Sequence, residues 1–358
     1  MLPLRLGRTL KCAIGLLLLL VSQHYLVRAA FDSLSTPEIP GWLLRVEGWC
    51  FGLVIFLTFL TLARDLLLLP RKFTSGGKRR ARATFSPNRR AAILAALAAV
   101  PASCAVKGAV SLPEVRHWED RSAALPPALD GLNLVHLTDL HVSPLFHADW
   151  VRALVERVNA IKPDLILFSG DLADGLPSLR LDDAAPLAGL RARYGVFGCP
   201  GNHEYYSGYE FWMSKLPELG LTMLQNTHAA LRIAGTDLTI AGITDPVASS
   251  FAQPLPDSQA ALAGAPERSF KILLGHRPAD AALGAEAGAH LMLSGHTHGG
   301  QILGMNRLVA RFNNGYLYGW YTVGGMRLYV GSGTGLWNGF PLRLGVPSEI
   351  ARIVLRRA

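Results

Sequence analysis

A chain of 358 residues can bury a full hydrophobic core and has room for about two structural units. Its formal charge of +9 would suit a polyanion-binding protein, but residues 1–110 hold 15 Lys/Arg against 4 Asp/Glu, a net of +11, and the remainder holds 20 against 22, a net of −2. The basicity therefore belongs to an apolar N-terminal third, where a membrane accounts for it. With no basic stripe or internal repeat farther along, no nucleic-acid partner is expected.

Three apolar stretches occupy that third. Residues 14–27 form a short one, and residues 48–70 are long enough to cross about 30 Å of hydrocarbon with some tilt. Arg64 and Asp65 interrupt the second stretch near one end, where they can snorkel or pair. Residues 91–110 form the third, rich in Ala and interrupted by Pro101 and Lys107. Between the second and third, residues 71–90 carry eight Lys/Arg and no acid, as a cytoplasmic loop does. The expected organisation is two transmembrane helices (1–70), a basic cytoplasmic linker (71–90), a third apolar segment (91–110) and a catalytic domain (111–358). The third segment is either a span or a twin-arginine-like signal, since Arg89-Arg90 precede it, though Ala92 stands where such signals usually carry Phe. As a span it places the chain, multi-pass, in the inner (cytoplasmic) membrane with the catalytic domain on the extracytoplasmic face. As an interfacial helix it would leave that domain in the cytoplasm.

From residue 132 onward the pattern is alternating α and β. Short apolar runs of strand length lie at Asn133–Leu137, Leu165–Ser169, 195–199, 238–243, Phe270–Leu274 and 290–294, each bounded by Gly, Pro, Asp or Asn on at least one side. Residues 150–161 and 209–216 have helical spacing, the second closed by Pro217. Residues 303–355 return to short β-like runs with Gly-rich turns, predicting a second sheet packed on the first. Cys12, Cys50 and Cys104 lie in or beside the apolar stretches, which leaves Cys199 alone in the domain. No disulfide framework follows there, and Cys199 reads as a small buried thiol rather than a nucleophile.

Five clusters follow these runs: Asp139-Leu140-His141, Gly170-Asp171 with Asp174, Gly201-Asn202-His203-Glu204, Gly275-His276 and Gly295-His296-Thr297-His298. Most stand just beyond a strand, where open α/β sheets bind their ligands. Asp139 and His141 are two apart and can face one cation from a strand end. A carboxylate such as Asp171 can bridge two cations, Asn202 offers a neutral oxygen, and His276, His296 and His298 offer imidazole nitrogens. Two divalent ions about 3.5–4 Å apart can clamp the attacking and leaving oxygens of a displacement at phosphorus and ionise a bridging water. Mixed N/O ligation without thiolate suits Mn, Fe, Zn or Co.

The order D-x-H, G-D, G-N-H-E, G-H, G-H-x-H resembles the calcineurin-like metallophosphoesterases from about residue 131 to the C-terminus. Residues 199–208 and the Gly-rich, aromatic tail 316–347 are similar to the membrane-anchored or exported bacterial branch that includes the YkuE-like phosphoesterases. The resemblance implies a β-sandwich flanked by helices, an α/β fold. It implies that Asp139, His141, Asp171 and His298 hold one metal and Asp171, Asn202, His276 and His296 a second. It leaves His203 unligated, to protonate or stabilise the leaving oxygen, with Asp174 orienting its ring. The function expected is a membrane-anchored, dimetal hydrolase of phosphomonoesters and phosphodiesters, lipid-linked ones included. The alternative is an enzyme like the UDP-2,3-diacylglucosamine pyrophosphatases of lipid A synthesis, with a cytoplasmic active site. A non-catalytic metal-binding membrane protein is disfavoured because the positions of Asp171 and His203 are filled.

Several residues have blander readings. His136, His290 and His147 read as core or surface histidines, and Glu204 as a supporting or helix-start carboxylate. Arg277 reads equally as a phosphate contact or a salt-bridge partner. The aromatics Tyr316, Tyr318, Trp320, Tyr321 and Trp337 read as second-sheet packing, with a pocket floor or a bilayer-facing surface as alternatives.

Overall fold

Strands apolar on both faces must be covered on both faces, and that requirement sets the architecture. The computed structural model describes residues 38–74, 87–302, 304–339 and 341–358, together with Thr9, Cys12, Ile14, Leu16 and Leu17. Most of the first apolar stretch and most of the basic linker thus lie outside the described residues.

Among residues 38–358, two long helices precede the domain, α1 (Gly41–Thr74) and α2 (Pro87–Val110). Both are long and apolar enough, over 41–67 and 92–110, to cross a membrane. They pack antiparallel. Leu44 shares a cluster with Ala109, Trp49 Nε1 donates to Ser103 Oγ at 3.0 Å, and a side chain at Gly52 would touch Ala102. Small residues make this approach possible, since Ala98, Ala102, Ala105 and Ala109 repeat along the buried face of α2. Pro101 sits inside α2 without ending it.

The domain that follows is a sandwich of two six-stranded sheets. The first has the order β1 (Glu114–Ser122), β12 (Glu349–Arg357), β2 (Asn133–Leu137), β3 (Leu165–Ser169), β4 (Val196–Cys199), β5 (Thr222–Met223). The second runs β10 (Gly319–Val323), β11 (Met326–Val330), β9 (Leu291–Ser294), β8 (Phe270–Leu274), β7 (Thr236–Gly242), β6 (Thr227–Ile233). Strands β2 to β5 are parallel, as are β7, β8, β9 and β11, so the chain reaches the same end of each sheet repeatedly.

Side-chain alternation divides the core. Leu134, Leu165 and Leu167 point between the sheets toward Ile240, Ile272, Leu291 and Leu293. Val135, Ile166 and Phe168 point outward beneath α3 (Ala148–Ala160) and α6 (Tyr209–Glu218), meeting Val151, Leu154, Trp212 and Leu216. Two shorter helices lie between these, α4 (Pro177–Ala184) and α5 (Asn202–Tyr206). The outer face of the second sheet is closed by α7 (Ser258–Leu262) and α8 (Ala281–Glu286).

Three local expectations change. Pro217 lies within α6 rather than ending it. Residues 303–355 do not all join the second sheet, because β12 returns to the first, between β1 and β2. The same region contains a helix, α9 (Asn306–Phe312), where the sequence pattern predicts only β-like runs.

The base of the α1–α2 hairpin is docked on the domain. Leu44 and Ala109 are buried with Leu145, Phe146 and Leu336, and Ala105 with Ile302 and Leu342. Just before α1, Glu38 forms an ion pair with the buried Arg180 of α4 and accepts the backbone N–H of Leu176 at 2.9 Å.

At the other end of the sandwich, Asp120 of β1 is buried and held by Arg327 Nε of β11 at 3.0 Å, tying the two sheets together. Burial pushes the Asp120 carboxyl up and the guanidinium pulls it back. Arg327→Met strands that carboxyl and should cost about 3 kcal/mol, read as a lower denaturant midpoint of the detergent-solubilised protein.

Candidate metal centre

All five clusters converge at the carboxyl ends of the parallel strands. Asp139 and His141 follow β2, Asp171 follows β3, Asn202 follows β4, His276 follows β8, and His296 and His298 follow β9. The turns are tight. Asp139, His141, Asp171, His296 and His298 all take positive φ, between 48° and 68°, a conformation that costs a non-glycine residue about 1 kcal/mol or more each. Such strain persists because the sheets on either side fix the chain direction. Two glycines keep the approaches open. A Cβ on Gly201 would lie 2.2 Å from Asp171 Oδ1, and one on Gly295 would lie 2.2 Å from Asp139 Oδ2.

The donor atoms form two groups that share Asp171. In the first, His141 Nε2 lies 3.3 Å from His298 Nε2 and 3.7 Å from Asp171 Oδ2, and His298 Nε2 lies 3.4 Å from Asp139 Oδ1. In the second, His276 Nε2 is 3.1 Å from each of Asp171 Oδ2, Asn202 Oδ1 and His296 Nδ1. The remaining ring nitrogens show which way the lone pairs point. His276 Nδ1 donates to the Ser169 carbonyl at 2.8 Å, and His141 Nδ1 is held 3.1 Å from both oxygens of Asp174. His276 and His141 are thus anchored by Nδ1 with Nε2 turned inward, where each meets another imidazole nitrogen, Nδ1 of His296 and Nε2 of His298. Facing lone pairs and clustered carboxylates repel one another unless a cation lies between them, so this donor set fits divalent metal ions. Three overlapping ligand sets meet that condition: Asp139/His141/His298, His141/Asp171/His203 and Asp171/His276/His296.

Asp174 serves two rings. Besides His141, its Oδ1 takes a 2.5 Å hydrogen bond from His203 Nδ1, and Arg180 Nε holds its backbone carbonyl at 3.1 Å. Burial works against the Asp174 charge, but the two imidazoles draw its carboxyl down to about 2. Burial likewise opposes the His203 charge, and Asp174 and Asp171 outweigh it and raise the imidazole above its ordinary value. The ring of His203 stacks edge-on to Tyr206 and Trp337, so its Nε2 side is bounded by aromatic walls.

Glu204 sits behind the centre and accepts backbone N–H groups from Gly201 (2.6 Å), Leu172 (2.6 Å) and Asp171 (3.0 Å). Burial and the neighbouring Asp171 push its carboxyl up to about 7, against the pull of those donors. Arg277 is tied by Nε to the buried Asp245 at 2.7 Å, with Nη1 3.3 Å from His296 Nε2. The salt-bridge reading holds, with a buried rather than a surface partner, and the guanidinium borders the centre. His136 is a core residue, hydrogen-bonded to Ser169 Oγ at 2.7 Å, and His147 pairs with Asp183 at the surface. His290 Nδ1 accepts the Lys271 N–H, and Cys199 is buried. Of the aromatics, Tyr318 and Trp320 pack around Tyr329 and Trp118, and Trp337 borders the site.

Three supporting residues are not legible in the local sequence pattern. Asp245 stands just beyond β7, one residue farther from its strand than Asp139 and Asp171 are from theirs, and that placement is the one signal it offers. Thr138 donates its hydroxyl to Asp139 Oδ2 at 2.8 Å. Arg343 is buried and reaches the carbonyls of Gly335 and Val346, at 3.1 and 3.2 Å, beside His298. Nothing in its neighbouring residues announces that.

A two-sheet sandwich with carboxylates and imidazoles gathered at its strand ends defines a metal-dependent phosphoester hydrolase. Residues 132–300 match the calcineurin-like phosphoesterase family. A Danio rerio protein named as a transmembrane protein with metallophosphoesterase domain is 34% identical over 331 residues, covering 89% of this chain and 75% of its own. An uncharacterized metallophosphoesterase of Helicobacter pylori (strain ATCC 700392 / 26695) is 39% identical over 226 residues, with coverage of 63% and 60%. The uncharacterized metallophosphoesterase YkuE of Bacillus subtilis (strain 168) is 30% identical over 243 residues, with coverage of 66% and 83%. The chain belongs to the calcineurin-like phosphoesterase family, whose members use divalent metals.

Two measurements test the geometry. Gly295→Ala forces Asp139 aside and should lower turnover about a hundredfold or more. Chelation should lower the thermal midpoint, and Mn²⁺ at about a hundred times its Kd should restore about 2.7 kcal/mol, a gain that Asp171→Asn blunts.

Proposed function

We propose that this protein is a membrane-anchored dimetal phosphoesterase acting on phosphodiesters at the bilayer surface, lipid-linked ones included. The observation that carries the reading is Asp171, whose Oδ2 faces His141 of one donor group and His276 of the other. Asp139, His141, Asp171 and His298 would hold one ion, and Asp171, Asn202, His276 and His296 the second. Mn, Fe, Zn and Co all suit these donors. When bound, the pair supplies Lewis acidity at the phosphoryl oxygens and an ionised water at neutral pH.

The chain's own groups do the rest. His203 falls within one of the three candidate donor groups, but with its Nδ1 taken by Asp174 its charged ring is assigned instead to carry on Nε2 the proton that the leaving oxygen takes up. Asp174 holds Nδ1 of both His203 and His141, so a single carboxylate orients the acid and a ligand. Arg277, fixed by Asp245, adds positive charge where the phosphoryl group must lie. Glu204 knots the turns bearing Asp171 and Asn202 through their backbone N–H groups.

The membrane reading rests on the hairpin. The first turns of α1 and the last of α2 both contact the domain, as does Glu38 ahead of α1, which suits a domain on one side and the basic linker on the other. Because basic loops stay in the cytoplasm, the domain is assigned to the extracytoplasmic face, at the inner membrane. That placement disfavours the nucleotide–lipid pyrophosphatase reading, which needs a cytoplasmic active site. An alkaline-phosphatase fusion at the C-terminus should be active and one within residues 75–86 silent; the reverse pattern overturns the assignment.

Mn²⁺-dependent hydrolysis of bis(p-nitrophenyl) phosphate should appear in the wild type and fall to background in Asp171→Asn. Equal rates would sink the mechanism. His203→Gln should slow a diester with an alkyl leaving group by about 10²–10⁴, and a nitrophenyl diester less, because nitrophenolate leaves without a proton. Only the imidazolium donates, so wild-type alkyl-diester activity should fall as pH rises through the raised His203 pKa. That alkaline limb should be missing from the variant.

A further inference from the structure

Beside the metal centre lies a cavity of about 910 Å³ that the hydrolytic chemistry does not require. One end is formed by the ligands His296 and His298. The walls leading away are apolar and belong to two helices. Phe51, Ile55 and Phe59 come from one face of α1 at spacings of four residues, and Met305, Val309 and Phe312 come from α9 and the residue before it.

The cavity therefore runs from a charged centre toward the stretch of α1 that is apolar enough to enter a bilayer. Phe51 and Ile55 pack with Leu342 and Ile302 at the domain, whereas Phe59 is 61% exposed. Helix α9 has the make-up of a short interfacial helix. Met305, Leu308 and Phe312 are exposed apolar residues at spacings of three and four, and Arg307 and Arg311 are exposed on an adjacent face. A water-facing location would leave Phe312, 78% exposed, and Leu308 with nothing to cover them, and a bilayer supplies that cover.

We infer that the groove between α1 and α9 is an acyl-chain site. A glycerophospholipid enters it sideways from the bilayer, its chains along Phe51, Ile55, Phe59, Val309 and Phe312 and its phosphodiester at His296 and His298. The inference rests on the phosphodiesterase reading and adds its substrate class. The size suits it, since ligand sites commonly enclose about 300–1,000 Å³, and here most of the lining is apolar, with polar side chains at Thr297, Gln301 and Asn313 besides the two histidines. Arg307 and Arg311 favour an anionic headgroup at the rim. Cleavage consumes one water and breaks one P–O bond, releasing an alcohol and a phosphomonoester.

The test uses the full chain in mixed micelles with Mn²⁺ and compares dipalmitoyl with dibutyryl phosphatidylglycerol, and both with bis(p-nitrophenyl) phosphate. The long-chain lipid should be cleaved with kcat/KM at least about tenfold above the short-chain one. Val309→Trp, which fills the groove, and Phe59→Ser should erase that preference while bis(p-nitrophenyl) phosphate hydrolysis stays within about twofold. Equal use of both lipids, or a groove variant that slows all three substrates alike, overturns the acyl-chain site. An independent reading needs no turnover: phosphatidylglycerol with dibrominated chains should quench the emission that Trp337→Phe removes, because Trp337 lines the cavity. Absence of that quenching overturns the groove even in an active enzyme. Quenching by brominated lipid without hydrolysis of any diester supports the groove and instead overturns the catalytic reading.

Discussion

Asp171 must face two imidazoles with one oxygen and accept the His203 backbone N–H at 2.8 Å with the other, and much of the fold can be traced to that demand. A carboxylate so placed needs donors arriving from both sheets. Strands β2, β3 and β4 deliver Asp139 with His141, Asp171 and Asn202 from one side, and β8 and β9 deliver His276, His296 and His298 from the other. Each element must end in a turn that aims a polar side chain back over the strand ends. Left-handed backbone at five ligand positions, and glycines at 201 and 295 where no Cβ fits, are the local costs. They are offset by a core of aliphatic side chains interleaved between the sheets.

The supporting contacts economise on residues. Asp174 holds the Nδ1 atoms of both His141 and His203, so moving it disturbs two rings of the centre together. Glu204 gathers N–H groups from two turns that are thirty residues apart in sequence. Asp245 steadies Arg277, which in turn approaches His296. None of these groups supplies a donor to the ligand sets, yet each limits where the donors can go.

The central strands are legible in the sequence because β2, β3 and β8 are buried on both faces, and a short, continuous apolar run closed by turn residues is what a doubly covered strand requires. The ligand positions are legible because their residue types and order are tied to those strand ends. The polar edge strand β1 carries no such signal: its partner β12 lies far along the chain, and only the nine-residue pairing with it defines the strand. The return of β12 to the first sheet is hidden for the same reason, since short apolar runs do not encode which sheet they will join. Helix α9 is hidden because its apolar residues are exposed, so burial does not impose a readable period. Arg343 and Thr138 act through contacts that only the assembled loops create.

The contact of Glu38 with Arg180 gives the hairpin a second meaning. Arg180 also holds the backbone of Asp174, which holds His203, so the segment ahead of α1 is joined to the His203 ring through three side chains. Leu145, Phe146, Leu336 and Leu342 are meanwhile covered by the helices. A chain lacking the residues up to 110 would uncover that apolar patch and leave the buried Arg180 guanidinium with Asp183 as its remaining carboxylate partner. The docking of the two apolar helices thus reaches the residues that orient the His203 ring, and order among the turns of the metal centre is coupled to how those helices settle on the domain.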